Sequence, residues 1–362
     1  HQGGEDEENG SGIAGYDLYV TNTPPEQWPE LLQSPDTKYP ERLNATVELL
    51  DRMVERGFGD AIALRTDAAA CTYYQLYVRV NQIAHALRER MGLVPGNRVL
   101  LRGTNNPMMA ACLLATIKAG LVAVPTMPLL RAKDLAPVVA KAKVSAALCD
   151  IALRDELDAL ARETPSLKQV VFFNDGSGAA DALETHLAGM PTRFAACDTA
   201  QDDVALIAFT SGTTGTPKGT MHFHRDIVAM CDLFPRHVLR PGPDDVFCGT
   251  PPMAFTFGLG GMLCFPMRVG ASVVLLERGT PETLLGAIQR HRASVLFTAP
   301  TMYRQMAAIV KRFDLSSLKK CVSAGEALPD ATRQLWKEAT GIEIIDGIGS
   351  TEMFHIFVSA DE

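Results

Sequence analysis

The sequence predicts an α/β fold in which short buried strands, mostly parallel, alternate with helices across two subdomains. Three observations carry this. Short apolar runs recur between segments of helical periodicity, the pattern of strands covered on both faces. Apolar residues make up 47% and charged residues 21%, close to ordinary globular usage, and 362 residues at roughly 100–200 per domain allow two or three units. A polar stretch at 174–203, holding Gly176, Gly178 and several acids, interrupts the alternation and divides subdomain 44–190 from subdomain 191–362.

The elements follow in order. Residues 1–12 are acidic and polar without an apolar core, so they read as a tail and not as a secretory signal. Residues 13–43, with Pro24, Pro25, Pro29, Pro35 and Pro40, read as an extended arm lying on a domain. Asn44 is an N-cap for a helix over 45–56, with Leu49, Leu50 and Met53 on one side. A second helix, 73–91, spaces Leu76, Val80, Ile83, Ala84 and Leu87 at helical intervals. Strand 98–102, helix 106–119 with Pro107 in its first turn, strand 121–125, helix 132–143, strand 145–149, helix 153–162 and strand 169–173 complete the first half. The second half reads as strand 204–209, helix 225–233, strands 245–248 and 272–276, helix 282–291, strand 294–297, helix 302–311, strand 320–322, helix 330–338 and strand 342–345.

Composition excludes several functions. The net charge is −8, and half of it falls on Glu5, Asp6, Glu7 and Glu8, so a general nucleic-acid binder is not expected. The most apolar stretch, 108–127, is broken by Lys118, Gly120 and Pro125, too interrupted for the ~20 apolar residues of a membrane span. Eight cysteines without a C-x-x-C pair read as buried reduced thiols of a cytoplasmic protein. His222 and His224 have no third ligand nearby and do not make a zinc site.

The chemistry concentrates in one loop. The apolar run 204–209 leads into TSGTTGTPKG, residues 210–219, where nearly every residue is a hydroxyl or a glycine. Glycines permit close backbone approach, successive amides form an anion nest, and Lys218 adds a cation, so the loop has a phosphate-binding composition. It is not a Walker A loop, because Gly219 follows the lysine where Ser or Thr is required.

This loop resembles the signature of the adenylate-forming superfamily, which includes acyl- and aryl-CoA ligases, luciferases and peptide-synthetase adenylation domains. SAGEALP at 323–329 resembles the adenine-facing loop of that family, and DGIGSTE at 346–352 its Gly-x-Thr-Glu segment. The resemblance covers roughly residues 44–362. It implies two stacked α/β subdomains in an αβαβα layering, and an enzyme that spends ATP to activate a carboxylic acid and pass it to coenzyme A.

The resemblance also assigns roles. Thr210, Ser211, Gly212, Thr213, Thr214, Gly215 and Lys218 would hold the β- and γ-phosphates, with Thr214 and Lys218 catalytic. Thr351 would meet the α-phosphate and Glu352 would hold Mg²⁺, and both would also be catalytic. Gly325, Glu326, Asp346, Gly347 and Ile348 would line the adenine site, with Asp346 accepting from the adenine amino group. Two positions depart from the common pattern: Ile348 stands where many members have Tyr, and Phe255 where many have His. These departures look like the benzoate and 2-aminobenzoate CoA ligase branch, whose acid pocket would then include Phe255, Phe257, Gly349, His355 and Ile356. For the two phenylalanines, core packing is an equal reading. His224 would cap or brace the loop, since a carboxylate nucleophile needs no base at neutral pH.

Complete members continue into a Thr-Gly-Asp segment, a closing barrel and a mobile cap with a catalytic lysine. The resemblance therefore implies an incomplete N-terminal domain, poor turnover by the chain alone, and apolar surface that favours a homo-oligomer. A non-catalytic nucleotide- or acid-binding module and a medium-chain fatty acyl-CoA ligase stay open as alternatives.

Overall fold

The computed structural model describes residues 34–210 and 217–360. The expected tail, and the expected arm before residue 34, lie outside the described residues. The rest of the arm runs over the second subdomain: the Tyr39 hydroxyl donates to Asp232 at 2.9 Å, and Leu43 N–H donates to the Thr199 carbonyl at 2.9 Å.

Fourteen strands lie among the described residues: β1 (Ile62–Arg65), β2 (Ala70–Thr72), β3 (Arg98–Arg102), β4 (Val122–Thr126), β5 (Ala146–Asp150), β6 (Gln169–Phe173), β7 (Val204–Thr210), β8 (Lys218–Phe223), β9 (Val246–Gly249), β10 (Ser272–Val274), β11 (Val295–Thr298), β12 (Lys320–Ser323), β13 (Ile344–Gly349) and β14 (Ile356–Ser359). A six-stranded sheet has the order β6-β5-β3-β4-β7-β8, and an eight-stranded sheet the order β14-β13-β12-β11-β9-β10-β1-β2. Only the edge strands β2, β8 and β14 run antiparallel to their neighbours.

Strand alternation explains the layers. On β3, Leu100 packs outward with Leu135, Val139, Leu157 and Leu160 of the helices Ala132–Ala142 and Arg154–Glu163. Its neighbour Leu101 packs inward, in the core shared by both sheets with Leu76, Leu113 and Phe247. On β11, Phe297 joins that shared core, and Leu296 packs outward with Leu284, Ile288, Tyr303 and Trp336. The result is the αβαβα sandwich. β3, β4 and β5 are buried at every residue, as strands covered on both faces must be.

Helix starts follow local chemistry. Asn44 accepts Thr46 N–H at 3.2 Å, the capping role its position predicts. Thr72 and Gln75 form a reciprocal capping box on helix Tyr73–His85. Asn106 accepts Met109 N–H at 2.9 Å, with Pro107 in the first turn of helix Pro107–Lys118. At the end of that helix the buried Lys118 ammonium donates to Asp51 at 2.5 Å and Asn81 at 2.7 Å. Burial lowers the Lys118 pKa, against the opposing pull of Asp51.

The boundary near residue 190 does not coincide with the division between the sheets. β1 and β2, from 62–72, complete the eight-stranded sheet, while β7 and β8, from 204–223, complete the six-stranded one. The cause is parallel pairing: Leu64 sits beside Val273, and Ala123 beside Leu206. All eight cysteines are free and six are buried. Among the described residues no helix is long and apolar enough to cross a membrane, and no cluster of His, Cys, Asp and Glu could hold a metal ion.

Candidate functional site

Four adjacent parallel strands, β9, β11, β12 and β13, end on the same side of the eight-stranded sheet. Ligands of open α/β sheets bind outside the carboxyl ends of strands. A cavity of about 450 Å³ lies there. Thr250, Pro251 and Pro252 follow β9, Ala299 follows β11, Ala324, Gly325 and Glu326 follow β12, and Gly349, Ser350 and Thr351 close β13. Phe255, Thr256, Phe257, His355 and Ile356 complete the lining. Eight residues expected at the site share this one cavity: Phe255, Phe257, Gly325, Glu326, Gly349, Thr351, His355 and Ile356.

The aromatic end is built around His355. The imidazole is buried, and its ring centroid lies 4.5 Å from Phe265 and 5.4 Å from Phe257. Gly260 makes room, because a Cβ there would lie 2.5 Å from the His355 ring. His355 Nε2 lies 3.1 Å from the Phe257 carbonyl. A carbonyl only accepts, so Nε2 carries the proton and Nδ1 is a bare acceptor. Nδ1 is buried and has no hydrogen-bond partner among the described residues. Burial pushes the His355 pKa from 6.5 down to about 3, opposed by the Phe257 carbonyl, so the ring is neutral at neutral pH.

The other expected residues among those described do not line the cavity. Asp346 ends the paired register of β12 and β13 opposite Ser323. Asp346 Oδ1 and Ser323 Oγ are both buried without a hydrogen-bond partner among the described residues. Gly347 lies where a Cβ would meet the Ile356 side chain at 2.6 Å. Ile348 is exposed opposite Val358 on β14, and Glu352 is an exposed carboxylate with no ion pair among the described residues.

Ser211, Gly212, Thr213, Thr214 and Gly215 lie outside the described residues. Their flanks are placed: Thr210 ends β7 and pairs with Lys218 at the start of β8, so the segment between them connects an antiparallel hairpin. A Walker A loop leads into a helix, and this one leads into a strand. Lys141 Nζ donates to the Pro217 carbonyl at 3.1 Å, tying the hairpin to helix Ala132–Ala142.

Sequence reasoning left His222 without a role. Its Nε2 donates to the Thr351 carbonyl at 2.7 Å, across from β8 to the turn after β13. Lys218 and His222 are four apart and share a face of β8, but no sequence signal links His222 to a turn more than a hundred residues away. His224 was expected to brace the loop, most of which lies outside the described residues; its Nδ1 accepts Ala45 N–H at 3.1 Å, fixing the first helix. Its pKa also falls to about 3 through burial.

Residues 51–362 match the sequence profile of a family described as AMP-binding enzyme. The chain is similar to the benzoate–CoA ligase of Thauera aromatica, with 35% identity over 90% of this chain and 62% of that protein. It is 31% identical to the anthranilate–CoA ligase of Pseudomonas aeruginosa, over 80% of this chain and 55% of the relative. The crystal structure of the anthranilate CoA ligase AuaEII in complex with anthranoyl-AMP superposes with a TM-score of 0.86 at 31% identity, covering 90% of this chain and 63% of that one. The chain thus spans about three fifths of the length of these proteins.

Proposed function

The chain belongs to the family of AMP-binding enzymes, and on that footing we propose that its site serves the ATP-dependent activation of an aromatic carboxylic acid of the benzoate or 2-aminobenzoate type. The acid becomes an acyl-adenylate with release of pyrophosphate, and then an acyl-CoA with release of AMP. One observation carries the reading: a single cavity joins an aromatic wall, Phe255, Phe257 and His355, to the Gly325–Glu326 and Gly349–Thr351 segments.

In this reading the acid ring lies against Phe255, Phe257 and Ile356, with Gly349 leaving space beside it. Adenine lies near Gly325, Glu326, Gly347 and Ile348, and its amino group donates to Asp346. The fit is chemical: Asp346 Oδ1 is a buried acceptor without a partner among the described residues, and an exocyclic amine is a donor. Thr351 donates its hydroxyl to the α-phosphate, and Thr210, Lys218 and residues 211–215 hold the phosphates beyond it. Glu352 is exposed and without an ion pair among the described residues, which suits a hard cation. Mg²⁺, when bound there, supplies charge neutralisation at phosphate oxygens.

His355 adds selectivity. Its bare Nδ1 is satisfied by a ring substituent that donates, an amino or hydroxyl group. An unpaired buried acceptor costs about 1–3 kcal/mol, so acids carrying a donor should bind better than unsubstituted benzoate.

A thermal-shift panel tests the reading, since ligands raise apparent stability by mass action. With ATP and Mg²⁺ present, 2-aminobenzoate and benzoate should raise the melting temperature and decanoate should not. A larger shift with decanoate, or none with any acid, would overturn the aromatic assignment.

A further inference from the structure

We propose that His222 is a positioning residue: one hydrogen bond from its ring holds the turn carrying Thr351 and Glu352 in register with the hairpin carrying Lys218. The inference rests on the nucleotide reading of the site above.

β8 runs inward from the hairpin. Lys218 is exposed, Thr220 half-buried and His222 buried, and alternate residues of a strand share a face. The strand thus connects a cation at the loop to an imidazole inside the molecule. His222 Nε2 donates to the Thr351 carbonyl at 2.7 Å, and the same oxygen accepts Phe354 N–H at 3.1 Å. Because the partner is a carbonyl, the ring proton sits on Nε2. The other nitrogen faces the Asp226 carboxylate at 3.8 Å, beyond hydrogen-bond reach.

The turn it holds is strained. Phe354 sits at φ +70°, a left-handed conformation that a bulky residue adopts only when its surroundings over-determine it. Those surroundings are visible: the Phe354 ring is buried and packs on the His222 ring with centroids 4.1 Å apart. Ser350 Oγ accepts Met353 N–H at 3.1 Å and closes the turn from the other side. His222 therefore both bonds and packs the segment that presents Thr351 to the cavity. β8 belongs to the six-stranded sheet and the turn follows a strand of the eight-stranded one, so the contact aligns the two sheets where the phosphates would lie.

The test compares His222→Met with His222→Gln, which fill similar volume and differ in the donor. Calorimetric titration with MgATP is the readout, with melting temperature measured alongside. The Met variant should bind MgATP about tenfold more weakly than wild type, the loss of one positioning hydrogen bond, and the Gln variant should stay within about threefold. The two variants should melt together. Wild-type affinity in the Met variant, or equal losses in both variants, would overturn the positioning role. Absence of MgATP binding by the wild-type chain would instead refute the nucleotide reading on which the role rests.

Discussion

Lowering the pH from 7 to 5 should cost the folded chain about 4 kcal/mol through two histidines, His224 and His355. Both are buried, and burial lowers each pKa from 6.5 to about 3. The unfolded chain takes up a proton at each ring as pH falls through 6.5, and the folded chain does not until pH approaches 3. The stabilisation is therefore complete above pH 6.5 and is lost progressively toward pH 3. Between pH 7 and 5 each ring accounts for about 2 kcal/mol. Carboxylates at their ordinary values titrate below this range. Urea unfolding at pH 7, 6 and 5 measures the loss for wild type and His355→Phe, each referred to its own stability at pH 7. The variant should lose about 2 kcal/mol where wild type loses about 4. A variant that loses as much as wild type would refute the claim that the His355 site excludes the imidazolium.

Two more perturbations follow from packing. Gly260→Ala puts a methyl 2.5 Å from the His355 ring, so it should destabilise by about 1–3 kcal/mol and lower the thermal midpoint; an unchanged midpoint would show that the ring has room to move. Lys118→Met leaves the half-buried Asp51 without its cation and should cost about 1–3 kcal/mol in urea unfolding, whereas adding Asp51→Leu should recover part of that loss. If the double variant is no more stable than Lys118→Met, the cost does not come from the stranded carboxylate.

The strands that the sequence made legible are those whose every residue is buried, such as β3, β4 and β5, because covering both faces demands an unbroken apolar run. β1, β2, β8 and β14 were not legible. β2, β8 and β14 are edge strands with exposed residues, so their composition is mixed, and β1 buries only its two central residues. Missing β8 hid two things: that the hydroxyl-rich loop joins a hairpin, and that His222 points to the turn at Thr351. The site was more legible than the topology. Motif residues such as Gly325, Glu326 and Thr351 line the cavity because strand ends converge there, and close spacing around each strand end survives in sequence. What sequence could not supply was the tautomer of His355, which depends on the Phe257 carbonyl almost a hundred residues away.

On the proposed function, this cavity accepts an aromatic acid joined to adenylate. Calorimetric titration of the wild-type chain and Asp346→Ala with a non-hydrolysable benzoyl-adenylate analogue, the sulfamoyl ester, tests it most directly. Saturable binding at one site per chain is predicted, weakened roughly tenfold or more in Asp346→Ala, as loss of a hydrogen bond to a carboxylate requires. No heat of binding in the wild type, or equal affinity in the two proteins, would contradict it.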